Sequence, residues 1–395
     1  MPRFVFYAIF IVVVLSVLIG SHYYFFLRLV RGPAWPAPWR NVAKWTIVCL
    51  GASVPLVFFL YRILPLGAAR AILFIPYLWI GMMLLIAFFL LCADAIKLLG
   101  WLGFKVTGKG DWFAAFIRQA VTQRAVALGV VGITLVLTPI SIHNAMAEPI
   151  LHRIDVKLER LPESMDGFKI AQLTDLHLGP TLQRDYLENV VRLTNAQHPD
   201  LVVITGDLVD APVDRLLPVL EPLTRLESEH GVFFVTGNHE FYAGPEEWLP
   251  ALEKLGLRVL QNERVSIEND GAAFDLAGIH DLQGGRFSPD YVPDLTAALC
   301  GRNEERELVL LAHQSLIIDE AERQGVGLVL SGHNHGGQIW PWMHLVRLQQ
   351  PYLSGLHRQG KTAIYVSQGT GFWGPPMRLG TRSEIALLTL QATGK

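Results

Sequence analysis

The chain has 395 residues, of which 51% are hydrophobic and 17% charged, with a mean hydropathy of +0.34. That is too apolar for one soluble globule, and the excess lies in the first third, so the composition points to a membrane region joined to a soluble domain. A net charge of −2 gives nucleic acid no global electrostatic footing, and of the three cysteines Cys49 and Cys92 fall in apolar runs while Cys300 stands alone, which excludes a disulfide framework or thiolate cluster in the soluble half.

Four apolar runs come first in chain order, at residues 4–27, 45–61, 71–93 and 125–142. Each is near the roughly 17–25 residues that cross a bilayer as a helix, so a transmembrane region is predicted over residues 1–145. The first run also has the look of a signal peptide, but it is long and lacks a small-x-small exit, which favours an uncleaved span. Lys and Arg gather in two of the short loops: Arg28, Arg31, Arg40 and Lys44 after the first run, and Lys97, Lys105, Lys109, Arg118 and Arg124 before the fourth. The loop after the second run has only Arg62 and Arg70, and the N-terminus only Arg3. The positive-inside rule puts the two basic loops in the cytoplasm, and the soluble domain then lies on the extracytoplasmic side of an inner or plasma membrane. Trp35 and Trp39 read as interfacial anchors.

From about residue 150 to 395 short β-branched runs alternate with helical segments. FKIAQLTD (168–175), LVVITGD (201–207), GVFFVTGNHE (231–240), LVLLAHQ (308–314) and GLVLSGHNH (327–335) read as buried strands ending in polar residues. Residues 184–195, 246–255 and 315–323 have helical spacing, and later strands near 363–367 and 384–390 suggest a second sheet. The predicted fold is an α/β domain, a two-sheet sandwich flanked by helices.

Each strand delivers polar residues at its C-terminal end, the edge where open α/β sheets bind ligands. In order these are Asp175 and His177; Asp207; Asn238 and His239; His313; and His333 with His335. With His239 set apart, two Asp, one Asn and four His suit Mn, Fe or Zn better than Ca or Mg alone, and these seven ligands fit two ions if one carboxylate bridges. Two metals can polarise a phosphoryl group and hold a hydroxide between them for in-line attack. Gly206, Gly237 and Gly332 precede ligands on tight exits that need close backbone approach.

DLH at 175–177, GD at 206–207, GNHE at 237–240, His313 and GHNH at 332–335 together resemble the calcineurin-like metallophosphoesterases. GHNHGGQ and the tail YVSQGTGFWGPPMRLG (365–380) resemble the membrane-associated branch, the transmembrane proteins with a metallophosphoesterase domain. The resemblance implies that Asp175, His177 and His335 hold one divalent metal, that Asn238, His313 and His333 hold a second, and that Asp207 bridges them. It implies that His239 is catalytic, lying over the site and acting on the phosphoryl oxygens or the leaving group. Glu240 is expected to orient a neighbour; Asp210 and Asn262 are expected to be structural; His280 and His344 are undecided, with surface roles favoured. Arg378 is a candidate phosphate clamp or a packing arginine. Trp340, Trp342, Phe372 and Trp373 either pack the rim or meet an acyl chain or the bilayer.

The expectation is a membrane-anchored, metal-dependent phosphoric ester hydrolase, acting on a phosphodiester or pyrophosphate by attack of a metal-bridged hydroxide, with a lipid-linked substrate attractive because the anchor keeps the site near the bilayer. Two alternatives stand beside it. One is a UDP-diacylglucosamine-type pyrophosphatase of lipid A synthesis, whose chemistry belongs on the cytoplasmic side. The other is a non-catalytic membrane sensor on the same fold.

Overall fold

The computed structural model describes residues 3–393; Gly394 and Lys395, and the side chains of Arg3 and Arg62 counted above, lie outside the described residues. The chain divides into two units, residues 1–140 and 141–395.

The first unit is helical: α1 (Arg3–Phe25, continued by a π-turn to Arg31), α2 (Ala37–Ile63), α3 (Leu66–Val106) and the short α4 (Gly110–Arg118), with most of α5 (Ala120–Met146). Pro36 and Pro65 start α2 and α3, positions where a missing N–H is harmless. Among the described residues three helical stretches are both long and apolar enough to cross a membrane: Ile11–Arg31, Leu66–Val106 and Ala120–Met146. α2 contains the predicted run at 45–61. Every helix outruns the apolar run that predicted it, because hydropathy marks only the apolar part of a helix whose ends continue into polar sequence. Val12, Val17, Ile19, Leu128 and Val136 face outward. Polar groups pair instead: Tyr24 Oη donates to Asp94 at 2.7 Å and Arg28 Nη2 lies 2.6 Å from it. Trp79 Nε1 donates to His22 at 3.0 Å, and Thr134 and Thr138 donate back to helix carbonyls. Such internal satisfaction is what a lipid environment demands.

The second unit holds two six-stranded sheets. Its strands are β1 (Ile150–Leu158), β2 (Lys169–Leu173), β3 (Leu201–Ile204), β4 (Val232–Phe234), β5 (Leu257–Val259), β6 (Glu263–Asn269), β7 (Ala272–Gly278), β8 (Leu308–Leu311), β9 (Leu328–Ser331), β10 (Gly355–Gln359), β11 (Thr362–Val366) and β12 (Glu384–Ala392). The orders are β1-β12-β2-β3-β4-β5 and β10-β11-β9-β8-β7-β6. Helices α6 (Arg184–Asn195), α7 (Val213–Leu220), α8 (Asn238–Ala243), α9 (Pro245–Lys254), α10 (Leu295–Ala298), α11 (Ile318–Arg323) and α12 (Met343–Val346) fill the connections.

Ile170, Val203 and Leu388 from the first sheet and Leu276, Val309 and Leu330 from the second close one apolar core between the sheets. Residues 384–390, expected in a second sheet, instead lie in the first, antiparallel to β2 with Ala386 opposite Gln172. Their alternation buries one side against the sandwich core, and sequence pattern does not say which sheet supplies the partner. β1 runs parallel to β12 with Ile150 opposite Glu384, so the chain enters this unit at the edge where β2 ends.

Candidate metal centre

β2, β3 and β4 run parallel in one sheet and β8 and β9 run parallel in the other, so five exits reach the same end of the sandwich. Hydrogen bonds sew those exits together: Gln172 Nε2 donates to Ser331 O at 3.0 Å, and the amide of Asp175 to Gly206 O at 3.0 Å. The backbone there is strained. Asp175, His177, Asp207, His333 and His335 have φ of 52°, 45°, 53°, 71° and 50°. Each such residue costs roughly 1–3 kcal/mol and persists because its surroundings hold it. Gly206, at φ +89°, has no room for a side chain: a Cβ would come within 2.5 Å of the Gly237 amide and 2.8 Å of His313 Nδ1.

The predicted donors converge. Asp175, His177 and His335 form one group of facing ligand atoms, and Asp207, His313 and His333 a second. His177 Nε2 is 3.0 Å from His335 Nε2 and 3.7 Å from Asp207 Oδ2. Asp207 Oδ2 is in turn 3.1 Å from His313 Nε2, and His333 Nδ1 lies 3.2 Å from the same imidazole nitrogen. Asp207 therefore stands between the groups. His313 Nδ1 gives its proton to Thr205 O at 2.8 Å, which directs Nε2 inward.

The sequence model of the calcineurin-like phosphoesterase family matches residues 168–337. A bovine (Bos taurus) transmembrane protein with metallophosphoesterase domain is 36% identical over 88% of this chain and 77% of its own length. The chain belongs to this metallophosphoesterase family. The zebrafish (Danio rerio) protein of the same name is 39% identical over 66% of this chain, an alignment that spans only 61% of the zebrafish protein. An uncharacterized metallophosphoesterase of Helicobacter pylori is 41% identical over 63% of this chain and 65% of its own. The relatives' names and the apolar helices together support a membrane location.

The residues of this metallophosphoesterase fit divalent metals on their own chemistry. Asn238 Oδ1 is buried without a hydrogen-bond partner, an acceptor that needs a cation or a donor. Burial, with His177 and Arg378 beside it, holds His335 well below the usual histidine range; burial and the nearby His313 lower His333 as well. Both are thus neutral, the form that ligates. The buried carboxylates meanwhile draw positive charge inward: burial opposes charge on His313 and His239, yet Asp207 raises His313 well above its ordinary value, and Asp207 with Asp210 raises His239 to about 9. A cation in the same place satisfies the same field.

Two carboxylates complete the arrangement. Asp210, read from sequence as structural, accepts from His177 Nδ1 at 2.8 Å and from His239 Nδ1 at 2.7 Å, fixing both rings. Its signal was the GDLVD spacing, which returns a second carboxylate three residues after Asp207. Glu240 accepts from the amides of Asp207, Leu208 and Gly237 at 3.0, 2.8 and 2.6 Å and so fastens the Asp207 loop to the start of α8. Burial and Asp207 push it up to about 7.

The phosphate-clamp reading of Arg378 is corrected. The side chain is fully buried, and its guanidinium donates to the carbonyls of His335 (3.1 Å), Gln368 (2.7 Å) and Gly371 (2.5 Å). It braces the His335 loop from behind. His280 is likewise buried rather than on the surface, and burial lowers it to about 4. His344 is exposed. Phe372 packs inside, whereas the ring of Trp373 is exposed and lies 5.8 Å from that of His239.

Proposed function

We propose that the chain is a membrane-anchored phosphoric ester hydrolase with two divalent ions, Mn, Fe or Zn, acting on a phosphodiester or pyrophosphate. In this reading residues 1–145 are the anchor and 150–395 the catalytic domain. The observation that carries it is the convergence of six of the seven predicted donors, with Oδ1 of the seventh, Asn238, buried without a partner. Asp175, His177 and His335 would hold one ion and Asn238, His313 and His333 the other, with Asp207 shared. When bound, the pair supplies Lewis-acid neutralisation of phosphoryl charge and an activated water.

The rest falls to the protein's own groups. His239 is held by Asp210 with its imidazolium favoured, so Nε2 can steady a phosphoryl oxygen or give its proton to the leaving oxygen. Asp210 fixes the His177 ring so that Nε2 faces inward. The four long helices and the basic loops after α1 and around α4 support an extracytoplasmic domain. That side disfavours a lipid A pyrophosphatase, and the full donor set disfavours a non-catalytic sensor.

The test is hydrolysis of bis(4-nitrophenyl) phosphate by the full chain with added Mn²⁺, paired with metal analysis. Asp207→Ala should abolish turnover and metal content together. His239→Ala should keep the metal and lose about 10²–10⁴-fold in turnover. Full activity in Asp207→Ala would overturn the assignment.

A further inference from the structure

We infer that the rim of the metal centre is a lipid-surface lip, and that the site therefore takes phosphoesters carried on amphiphiles embedded in the bilayer. The inference rests on the hydrolase reading and adds the substrate class. Three observations lead to it.

The first concerns where the chain leaves the domain. Ser141–Met146, the last turns of the apolar helix α5, belong to the same unit as the site. Ser141 O accepts from the Arg378 amide at 2.8 Å, and Asn144 Nδ2 donates to Arg378 O at 3.2 Å. The Arg378 side chain in turn holds the His335 carbonyl. The end of a helix long enough to cross a membrane is thus one residue removed from a candidate metal ligand.

Next is the composition of the rim. In the segments that follow the His335 and Gly371 loops along the chain, Trp340 is 38% exposed, Leu345 54%, Leu348 80% and Trp373 54%, and Arg347 and Arg382 are exposed in the same segments. Aromatic, leucine and arginine side chains together match the bilayer interface, where rings sit at the headgroup level and guanidinium groups meet phosphate.

The rim is also built rather than loose. Gln338 Nε2 donates to Trp373 O at 2.9 Å, Gln338 Oε1 accepts from the Trp373 amide at 3.2 Å, and the Trp340 amide donates to Leu379 O at 2.7 Å. The segment carrying Trp340, Leu345 and Leu348 is thereby joined to the one carrying Trp373, whose ring borders His239. An acyl chain leaving the reaction centre by this side would pass along apolar surface.

The experiment uses the full chain in vesicles of phosphatidylcholine and phosphatidylglycerol. With Cys49, Cys92 and Cys300 changed to Ser, a spin label is placed by Leu345→Cys, Leu348→Cys or, as a control at the opposite edge before β11, Lys361→Cys. Labels at 345 and 348 should collide more with oxygen than with a water-soluble nickel chelate, and the label at 361 the reverse. Nickel exposure at 345 and 348 equal to that at 361, or shielding from both quenchers as under a protein partner, overturns the lip. In the catalytic arm, Leu345→Glu with Leu348→Glu should lower turnover of a vesicle-held diacylglycerol 4-nitrophenyl phosphodiester by about tenfold or more. Turnover of soluble bis(4-nitrophenyl) phosphate should not change. Undiminished turnover of the vesicle-held ester overturns the substrate class. An equal fall on both esters marks a folding defect, and the quencher exposure of the labels then decides for or against the lip. A wild-type chain inactive on the soluble ester sinks the hydrolase reading, while the labels still judge the lip.

Discussion

In the helical region Val12, Val17 and Leu128 point outward, and Asp94 is drawn in among Tyr24, Arg28 and Lys97. In the metallophosphoesterase domain the order is reversed: Val203, Leu276 and Leu330 fill the space between the sheets, and the carboxylates and imidazoles gather at one end. The same residue types take opposite places because the surroundings differ, lipid in one case and water in the other. A second difference is the distribution of strain. Among the described residues, nine of the ten positive-φ positions other than glycine lie beyond residue 140 and five are candidate metal ligands, whereas the helical unit has only Ala34. Regular helices satisfy their own backbones, while a site assembled from five loops has to bend each of them.

The contrast makes substitutions in the two regions unequal. Among substitutions that leave the donors and His239 themselves unchanged, the largest effect is expected from Gly237→Ala, because a Cβ there runs into the side chain and amide of Asp207. Displacing that carboxylate by about 1 Å should cost about 100-fold in turnover of the soluble ester. Asp210→Asn comes next. Keeping an acceptor oxygen but losing the negative charge that both imidazoles share should weaken metal binding or turnover about 10–100-fold without unfolding the domain, which metal titration alongside circular dichroism will check. Retained affinity would return Asp210 to a structural role.

In the other region, Asp94→Leu strips the partner from Arg28 and Lys97 and should lower stability in detergent by about 1 kcal/mol, with turnover of the soluble ester unchanged. A parallel loss of turnover would show that the two regions are energetically coupled and break the contrast. The smallest effect is expected at His152, raised by its contact with Glu384 against partial burial. A raised histidine stabilises the fold below its unfolded value of about 6.5, and that contribution is lost as pH rises through the folded value. His152→Gln should therefore be destabilising at pH 5.5 by well under about 1 kcal/mol, given its exposure, and neutral at pH 8.5. Melting curves at the two pH values decide it.

Much of the site was legible because each donor follows a run whose apolar continuity identifies it as a buried strand. Order along the chain then stood in for nearness in space. Less was legible where partners come from elsewhere in the chain. Residues 384–390 showed strand pattern but not which neighbour they join. Asp210 carried only the GDLVD spacing as a mark, and the two rings that meet its carboxylate are what make it functional. By residue type Arg378 was open between a phosphate clamp and a packing arginine, and its burial among carbonyls matches the second. The ends of the long helices ran past the apolar runs because backbone hydrogen bonding continues where hydropathy does not, and α4 lies between two runs, where no apolar run marked it.

The seven donors divide between the sheets: Asp175, His177, Asp207 and Asn238 follow strands of the first, and His313, His333 and His335 follow strands of the second. Two metal ions held by both sets would form a clasp across the sandwich. Their affinity would add to folding stability by linkage, since the unfolded chain cannot assemble donors spread from residue 175 to residue 335. A chelator should therefore act as a mild denaturant of this domain, loosening the seam between the sheets before it reaches either one.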